Sequence, residues 1–522
     1  MNNNTIGFSN FRRFESFPEM TLGGVTILVG GNNAGKSTLV KAILLMRDFL
    51  KSRIEGMTNS KMFEPQFRFD TEHVNIGEFY RAFCRQSSHE KDTISFIMRI
   101  GNFRFVVDIR GERKSGIIPQ VSKIVVSDSE KGASFTFDFI KKQIYASFDI
   151  SEEKEAKLKE WQSIVFKIGE LNTVLFDSTN VDEISRLKSE IANLEKQADE
   201  LAQKNDLGNE GIAVGDFPLL TEDSIGKLLM PELINCFIRY AESGTLGDKN
   251  SKSYKVQEAN KDFLRGKTAL IKSISNDVKK VINVQAIEYI YAHSVNLNAL
   301  YANCANSEDY MKRIIHEFYT SRISLGDKEF EFIEQWLQDF KIGNSLKVIK
   351  IERDNAYYIS IYDEDNPEET GGIDLADKGM GTIQLVILLL RIATLIHNFK
   401  GQQLTILLEE PEQNLHPKLQ SQLANLVYNV NKEFGVRFVI ETHSEYLIRK
   451  TQVIVADNNY GNEHELKTNN PFRVYYLPYD DAPYEMDYAL SGRFINKFGE
   501  GFFDEAGKSN LITLRKEKEL QR

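Results

Sequence analysis

The sequence predicts an α/β head that carries an antiparallel β subdomain and is interrupted by a helical, coiled-coil insertion. Three observations predict it. Near the start, an apolar run from Val25 to Val29 leads into a glycine-rich turn and then an amphipathic helix. From residue 346 onward, strand and helix patterns alternate as they do around a parallel sheet. Between these two α/β portions lies a long stretch whose apolar residues recur at helical spacing.

Residues 1–150 read as the N-terminal part of the head. Two short strands precede Val25–Val29, and a helix is expected from near Ser37. From Asp92 to Ile150, alternating segments such as Ser95–Ile100 and Phe103–Ile109 are separated by glycine-containing turns, the pattern of an antiparallel sheet. Residues 151–206 carry a heptad-like seam of Ile184, Leu187, Ile191, Leu194, Ala198 and Leu201. Leu158, Trp161, Val165, Ile168 and Leu175 precede it across the turn-like Asp177-Ser-Thr-Asn, so a helical hairpin is expected, with arms of about 37 Å. Two ordinary helices packed on the body are the alternative.

Residues 207–345 are expected to be a mainly helical insertion that begins with a glycine-rich linker at 207–222. Residues 346–522 return to the head. Strands are expected at Lys347–Ile351, Tyr357–Tyr362, Leu404–Leu408 and Arg437–Ile440, with helices at Thr382–Asn398 and Pro417–Lys432.

Composition narrows the function. Of 522 residues, 41% are hydrophobic and 27% charged, which excludes a disordered chain. The net charge of −10 repels phosphate backbones, so DNA or RNA would need a local patch. The best such run is 248–280, with nine Lys/Arg against four Asp/Glu, although a run of this kind is usually a solvated helix face. Cys84, Cys236 and Cys304 lie far apart without metal-ligand spacing, which argues against structural zinc. The apolar stretch Thr382–Ile396 is broken by Gln384 and Arg391 and is shorter than the roughly 18 residues that span a bilayer. With no signal-like start, a cytoplasmic protein without membrane contacts is expected.

Gly30-Gly31-Asn32-Asn33-Ala34-Gly35-Lys36-Ser37 fits G-x-x-x-x-G-K-[ST] in its required strand and helix context. Backbone N–H groups from Gly30 to Thr38 would cradle phosphates, Lys36 would reach the β- and γ-phosphates of ATP, and Ser37 would ligate Mg²⁺. The apolar strand 404–408 ends in Glu409 and Glu410, which gives one carboxylate for the metal shell (Glu409) and one to polarise water (Glu410). A second strand ends in Glu441-Thr442-His443-Ser444, where His443 can touch a γ-phosphate. Gly379, Gly381 and Thr382 open an apolar helix and form a second phosphate-binding element, or else an ordinary glycine turn.

Together with Asn10-Phe-Arg-Arg-Phe14 and Glu409-Glu-Pro-Glu-Gln-Asn-Leu-His-Pro417, these segments resemble the ABC-class ATPases, in particular the soluble SMC/RecF/OLD-like group. The resemblance implies an ABC-type P-loop ATPase head. It also implies an ATP-dependent head-to-head dimer in which the Gly379 segment of one subunit closes on the P-loop nucleotide of the other. Lys378 stands where that group usually has serine, which bears on hydrolysis more than on binding. Gln66 and Gln285 both compete for the group's Q-loop glutamine. The stretch beginning Gly499-Glu-Gly-Phe-Phe is similar to the tails of phage-defence ATPases such as PtuA-like proteins of Septu systems.

The expected function is therefore ATP hydrolysis coupled to nucleic-acid sensing or to control of a partner effector, such as a nuclease, in anti-phage defence. Only 79 residues follow His443, too few for a nuclease domain of the OLD type, so cutting is expected to reside in another chain. An SMC-like repair clamp is the alternative. A transporter subunit is disfavoured by the roughly 340 residues between Ser37 and Gly379.

Overall fold

The computed structural model describes residues 4–55, 67–86, 93–112, 119–140, 143–148, 181–204, 212–216, 229–244, 252–291, 301–302, 310–351, 356–363, 371–479, 481–499, 502–503 and 505–520, with single positions 164, 167 and 171. Strands β1 (Asn4–Phe11), β2 (Phe14–Leu22) and β3 (Val25–Gly30) lead into helix α1 (Lys36–Glu55). β4 (Thr93–Ile100), β5 (Phe103–Arg110), β6 (Gln120–Asp128), β7 (Ala133–Asp138) and β8 (Gln143–Phe148) form an antiparallel meander. Their residues alternate between buried and half-buried, because only one face meets the core.

After α2 (Val181–Lys204), strand β9 (Ile212–Asp216) adds to β8, completing an eight-stranded sheet in the order β2-β1-β4-β5-β6-β7-β8-β9. Helices α3 (Met230–Glu242), α4 (Lys252–Gly266) and α5 (Thr268–Val284) follow. They bury an apolar face on this sheet. Phe237 of α3 sits 5.3 Å from Phe135 and 5.7 Å from Phe137, and Phe263 of α4 lies 5.8 Å from Phe148.

The chain then enters the central sheet through β10 (Gln285–Ile290). β11 (Tyr301–Ala302), α6 (Tyr310–Ser321), α7 (Lys328–Asp339), β12 (Ser345–Ile351), β13 (Ala356–Tyr362) and β14 (Ile373–Asp374) follow, the strands forming a small antiparallel sheet. Last come α8 (Met380–Asn398), β15 (Gln403–Glu409), α9 (Pro417–Phe434), β16 (Arg437–Glu441), α10 (Glu445–Asp457), α11 (Glu463–Asn469), β17 (Phe472–Leu477), β18 (Tyr484–Glu485) and α12 (Glu505–Leu520).

The central sheet has the order β10-β15-β16-β3-β17-β18, with its first five strands parallel. Both of its faces are covered. Leu28 of β3 joins the core beneath α1 and the antiparallel sheet, while Val25, Ile27 and Val29 join the core under α6 to α10. Covering both faces is why these strands read as unbroken apolar runs.

Helix α8 shows the same effect. At 19 residues it is long and apolar enough to cross a membrane, one turn longer than the stretch expected from sequence. Every residue from Ile383 to Ile396 is buried, wedged between the central sheet and helices α6 and α7. Its single buried cation, Arg391, is paired with Glu317 and, at 3.3 Å, with Glu288.

Several expectations are corrected. The 207–222 linker contains β9, whose Gly215 hides the strand pattern. Within the mainly helical 207–345 insertion, β10 belongs to the central sheet; it begins directly after Val284 with no glycine or proline break and so reads as more helix. β12 and β13 pair antiparallel outside the parallel sheet. β17 was not anticipated. Of the hairpin, α2 is a 24-residue helix that buries Leu187 and Ile191, and Lys167 reaches Glu190 at 3.4 Å. The rest of the first arm lies outside the described residues.

Phe237 is fully buried between two rings of the antiparallel sheet. Phe237→Ala is expected to cost about 3–5 kcal/mol, read as a lower melting temperature. Wild-type melting would mean that the helices do not lean on the sheet.

Candidate functional site

β3 ends at Gly30, and the chain turns through Gly31–Gly35 into α1. Asn33 (φ 62°) and Gly35 (φ 102°) are left-handed. A Cβ on Gly30 would collide with the Leu477 carbonyl, and one on Gly35 with the Phe14 ring, so packing demands glycine at both and backbone angle demands it at Gly35 as well. Arg13 fastens the loop from outside. Its guanidinium donates to the Asn33 carbonyl at 2.5 Å and to the Tyr479 carbonyl, and lies 4.8 Å from the Tyr479 ring.

Lys36 is buried and donates to the Gly30 and Gly31 carbonyls at 3.0 and 3.1 Å. Burial lowers its pKa, and the nearby carboxylates Glu441, Glu410 and Glu412 oppose the shift. The ammonium is thus held inside the loop within the field of three acids.

The Ser37 hydroxyl donates to Glu441 Oε1 at 2.9 Å. From sequence, Ser37 and Glu409 were each assigned to the Mg²⁺ shell and Glu441 was not. The sheet order explains the difference: β16 lies between β3 and β15, so the acid that ends β16 is the one that reaches Ser37. Glu409 sits opposite Glu441 in register and accepts a hydrogen bond from the Tyr289 hydroxyl instead. Glu441 is buried, its Oε2 has no hydrogen-bond partner, and burial pushes its pKa up to about 7. It was quoted in the sequence motif but given no role, because the neighbouring histidine carried the reading.

Glu410 follows the strand in a left-handed conformation (φ 41°), and its N–H donates to the Glu441 carbonyl at 2.8 Å. That turn, more than the strand pleat, separates it from Glu409. Gln413 donates to Glu410 Oε2, while Glu410 Oε1 lies 3.6 Å from His443 Nε2. Burial, then Lys36, lowers the His443 pKa against the opposing pull of Glu410, favouring a neutral imidazole at neutral pH. Buried Glu412, also missed from sequence, accepts the His443 backbone N–H at 2.7 Å and so fixes the histidine turn to the acidic turn.

The structure therefore brings Lys36, Ser37, Glu409, Glu410 and His443 to the carboxyl ends of three adjacent parallel strands, where ligands of open α/β sheets bind. Gly379, Gly381 and Thr382 stand at the head of α8 instead, and among the described residues no hydrogen bond joins them to the loop. Gly381 packs against the Asn414 carbonyl so closely that a Cβ would lie 2.7 Å from it, while Gln384 contacts Pro411 and Asn414. Gly379 and Met380 are exposed. Gln285 is removed as a Q-loop residue. It starts β10, at the opposite end from the loop, and donates to Gln403 at 2.8 Å. Gln66 lies outside the described residues.

Part of the basic run 248–280 is engaged within the chain. Lys261 is buried and caps α3 through the Ser243 and Gly244 carbonyls, and Arg265 pairs with Glu258 and Asp262. Lys280 lies near Asp277, and Lys267 lies over Phe148 and Phe263. Lys272 and Lys279 are exposed.

Among the described residues, no cluster of three or more His, Cys, Asp or Glu side chains is arranged to hold a metal by itself. The oxygens of Ser37, Glu441 and Glu409, with Glu441 Oε2 buried and unpartnered, nevertheless fit Mg²⁺, which takes one or two carboxylates and completes its shell with water and substrate phosphate.

A protein-family model described as an AAA ATPase domain matches residues 1–448. No curated protein matches the sequence. Similar solved structures include the Smc head domain of Pyrococcus furiosus with an extended coiled coil, bound to the C-terminal domain of ScpA. It has a TM-score of 0.32 and 10% identity, covering 98% of this chain and 99% of that one. The Smc head domain of Pyrococcus yayanosii with a coiled coil and joint has a TM-score of 0.32 and 11% identity, covering 94% and 98%.

The buried Glu441 carboxyl makes stability depend on pH. Its folded pKa lies above the ordinary 4.5, so the folded state favours the protonated form, and stability falls as pH rises from 4.5 through about 7. The shift corresponds to about 3 kcal/mol. Without nucleotide or metal, Glu441→Gln is expected to melt above wild type at pH 8, with the gap closing toward pH 4.5. A gap that does not depend on pH would remove this account.

Proposed function

Because the chain belongs to the AAA ATPase domain family, we propose that the pocket at Lys36, Ser37, Glu409, Glu410, Glu441 and His443 binds ATP with Mg²⁺ and hydrolyses it to ADP and phosphate. The observation that carries this reading is the approach of Glu410 to His443, just past the ends of β15 and β16, beside a P-loop whose lysine and serine already face carboxylates. Mg²⁺ would be held by Ser37 and by Glu441 or Glu409, and would offset phosphate charge. Glu410 accepts the proton of a water that attacks the γ-phosphorus as the bond to the β–γ bridging oxygen breaks. Neutral His443 beside it donates to the γ-phosphate. Backbone N–H groups of Gly31–Thr38 and the start of α1 hold the remaining phosphate oxygens.

In this reading two copies close head to head. The exposed Gly379–Met380 edge of α8 in each copy completes the phosphate site of the other. Lys378 in place of the usual serine points to slow turnover. The closed dimer presents the α2 region to a separate effector protein, such as a nuclease, in anti-phage defence. A protein partner is favoured over DNA or RNA at 248–280, because Lys261, Arg265 and Lys280 there already have partners within the chain.

Lys36→Ala is expected to abolish ATP binding measured by calorimetry; wild-type affinity would sink the pocket assignment. Glu410→Gln is expected to keep binding, lose at least a hundredfold in hydrolysis rate, and shift from monomer to dimer mass by light scattering when Mg²⁺ and ATP are added. A mass unchanged by ATP would remove the dimer mechanism, and an unchanged rate would remove Glu410 as the base.

A further inference from the structure

We propose that Tyr289 is a positioning residue for the Glu409 carboxylate, tethering one oxygen so that the other stays turned toward the Mg²⁺ side of the pocket. This rests on the reading of the pocket given above. Tyr289 is the penultimate residue of β10, the strand beside β15, and its buried hydroxyl donates to Glu409 Oε2. Among the described residues it is the one hydrogen-bond donor to that carboxylate.

The tether has something to oppose. Glu409 faces Glu441 directly across the β15–β16 register, and two carboxylates so placed repel each other. Glu409 also borders a cavity of about 30 Å³ lined in part by Tyr291, Tyr310, Gln384 and Pro411, room for about one water. An untethered carboxylate could therefore turn away from the P-loop into this space.

The phenol ring is itself held firmly. Tyr291 meets it edge-on at 4.5 Å and His73 at 5.7 Å, His73 Nδ1 lies 2.7 Å from the Tyr291 hydroxyl, and Tyr310 donates to the Tyr289 carbonyl at 3.2 Å. A tyrosine phenol is protonated at neutral pH, so the hydroxyl is a donor. A phenol fixed at the ring and protonated at the tip orients an acid in the way that outer-shell donors orient metal-binding carboxylates.

The test uses calorimetry with the non-hydrolysable analogue AMP-PNP, with Mg²⁺ and again in EDTA, on wild type, Tyr289→Phe and Tyr291→Phe. Tyr289→Phe keeps the ring and is expected to bind metal-free analogue as wild type does, while its gain in affinity from Mg²⁺ falls about tenfold. Tyr291→Phe is expected to keep that gain. An undiminished gain in Tyr289→Phe would overturn the proposal, as would an equal loss with and without Mg²⁺ or an equal loss in Tyr291→Phe, since both indicate packing alone. A wild-type protein that gains nothing from Mg²⁺ would remove the pocket reading itself, and this proposal with it.

Discussion

The candidate site depends on one constraint: β15, β16 and β3 lie side by side, parallel and in a fixed register, with their carboxyl ends at the same edge. No single segment holds the chemistry. The P-loop contributes a cation and a hydroxyl, β15 two acids, and β16 a third acid and a histidine, and each functional side chain follows or ends a strand whose other residues are buried on both faces. Apolar packing thus sets the spacing of the polar groups, and a one-residue slip between β15 and β16 would turn Glu409 or Glu441 to the opposite face.

Much of this was legible in the sequence. The loop Gly30–Ser37, the acids Glu409 and Glu410, and His443 were recognisable because each follows an apolar run and combines residue types that local structure alone does not require. Strand order was not legible. Whether β15 or β16 neighbours β3 is decided by long-range pairing, so the contact of Ser37 with Glu441 could not be foreseen. Tyr289 was hidden for a related reason: β10 follows α5 without a break and has no glycine-rich signal of its own.

The helical insertion was legible in composition and misleading in meaning. Its apolar stripes were real, but those of α3 to α5 pack on the antiparallel sheet and those of α6 and α7 on the core around α8, and Lys261 and Arg265 cap a helix or pair with neighbouring acids. Net charge counted along the chain cannot separate a surface for a partner from cations already matched inside the fold. The same holds for α8, whose composition suits a bilayer and whose surroundings are a protein core.

The central sheet also sets a timetable for synthesis. β3 is the third strand made, yet its two neighbours are β16 and β17, which emerge more than 400 residues later. At typical elongation rates the interval is on the order of half a minute. Until then the edges of β3 have no partners in the central sheet, and the P-loop lacks both the acid that meets Ser37 and the Tyr479 carbonyl that helps anchor Arg13. The antiparallel sheet, built almost wholly from neighbours in sequence, can fold during that wait. A nascent chain would therefore carry a folded β subdomain and an unassembled phosphate loop, so that nucleotide binding reports that synthesis has passed β17.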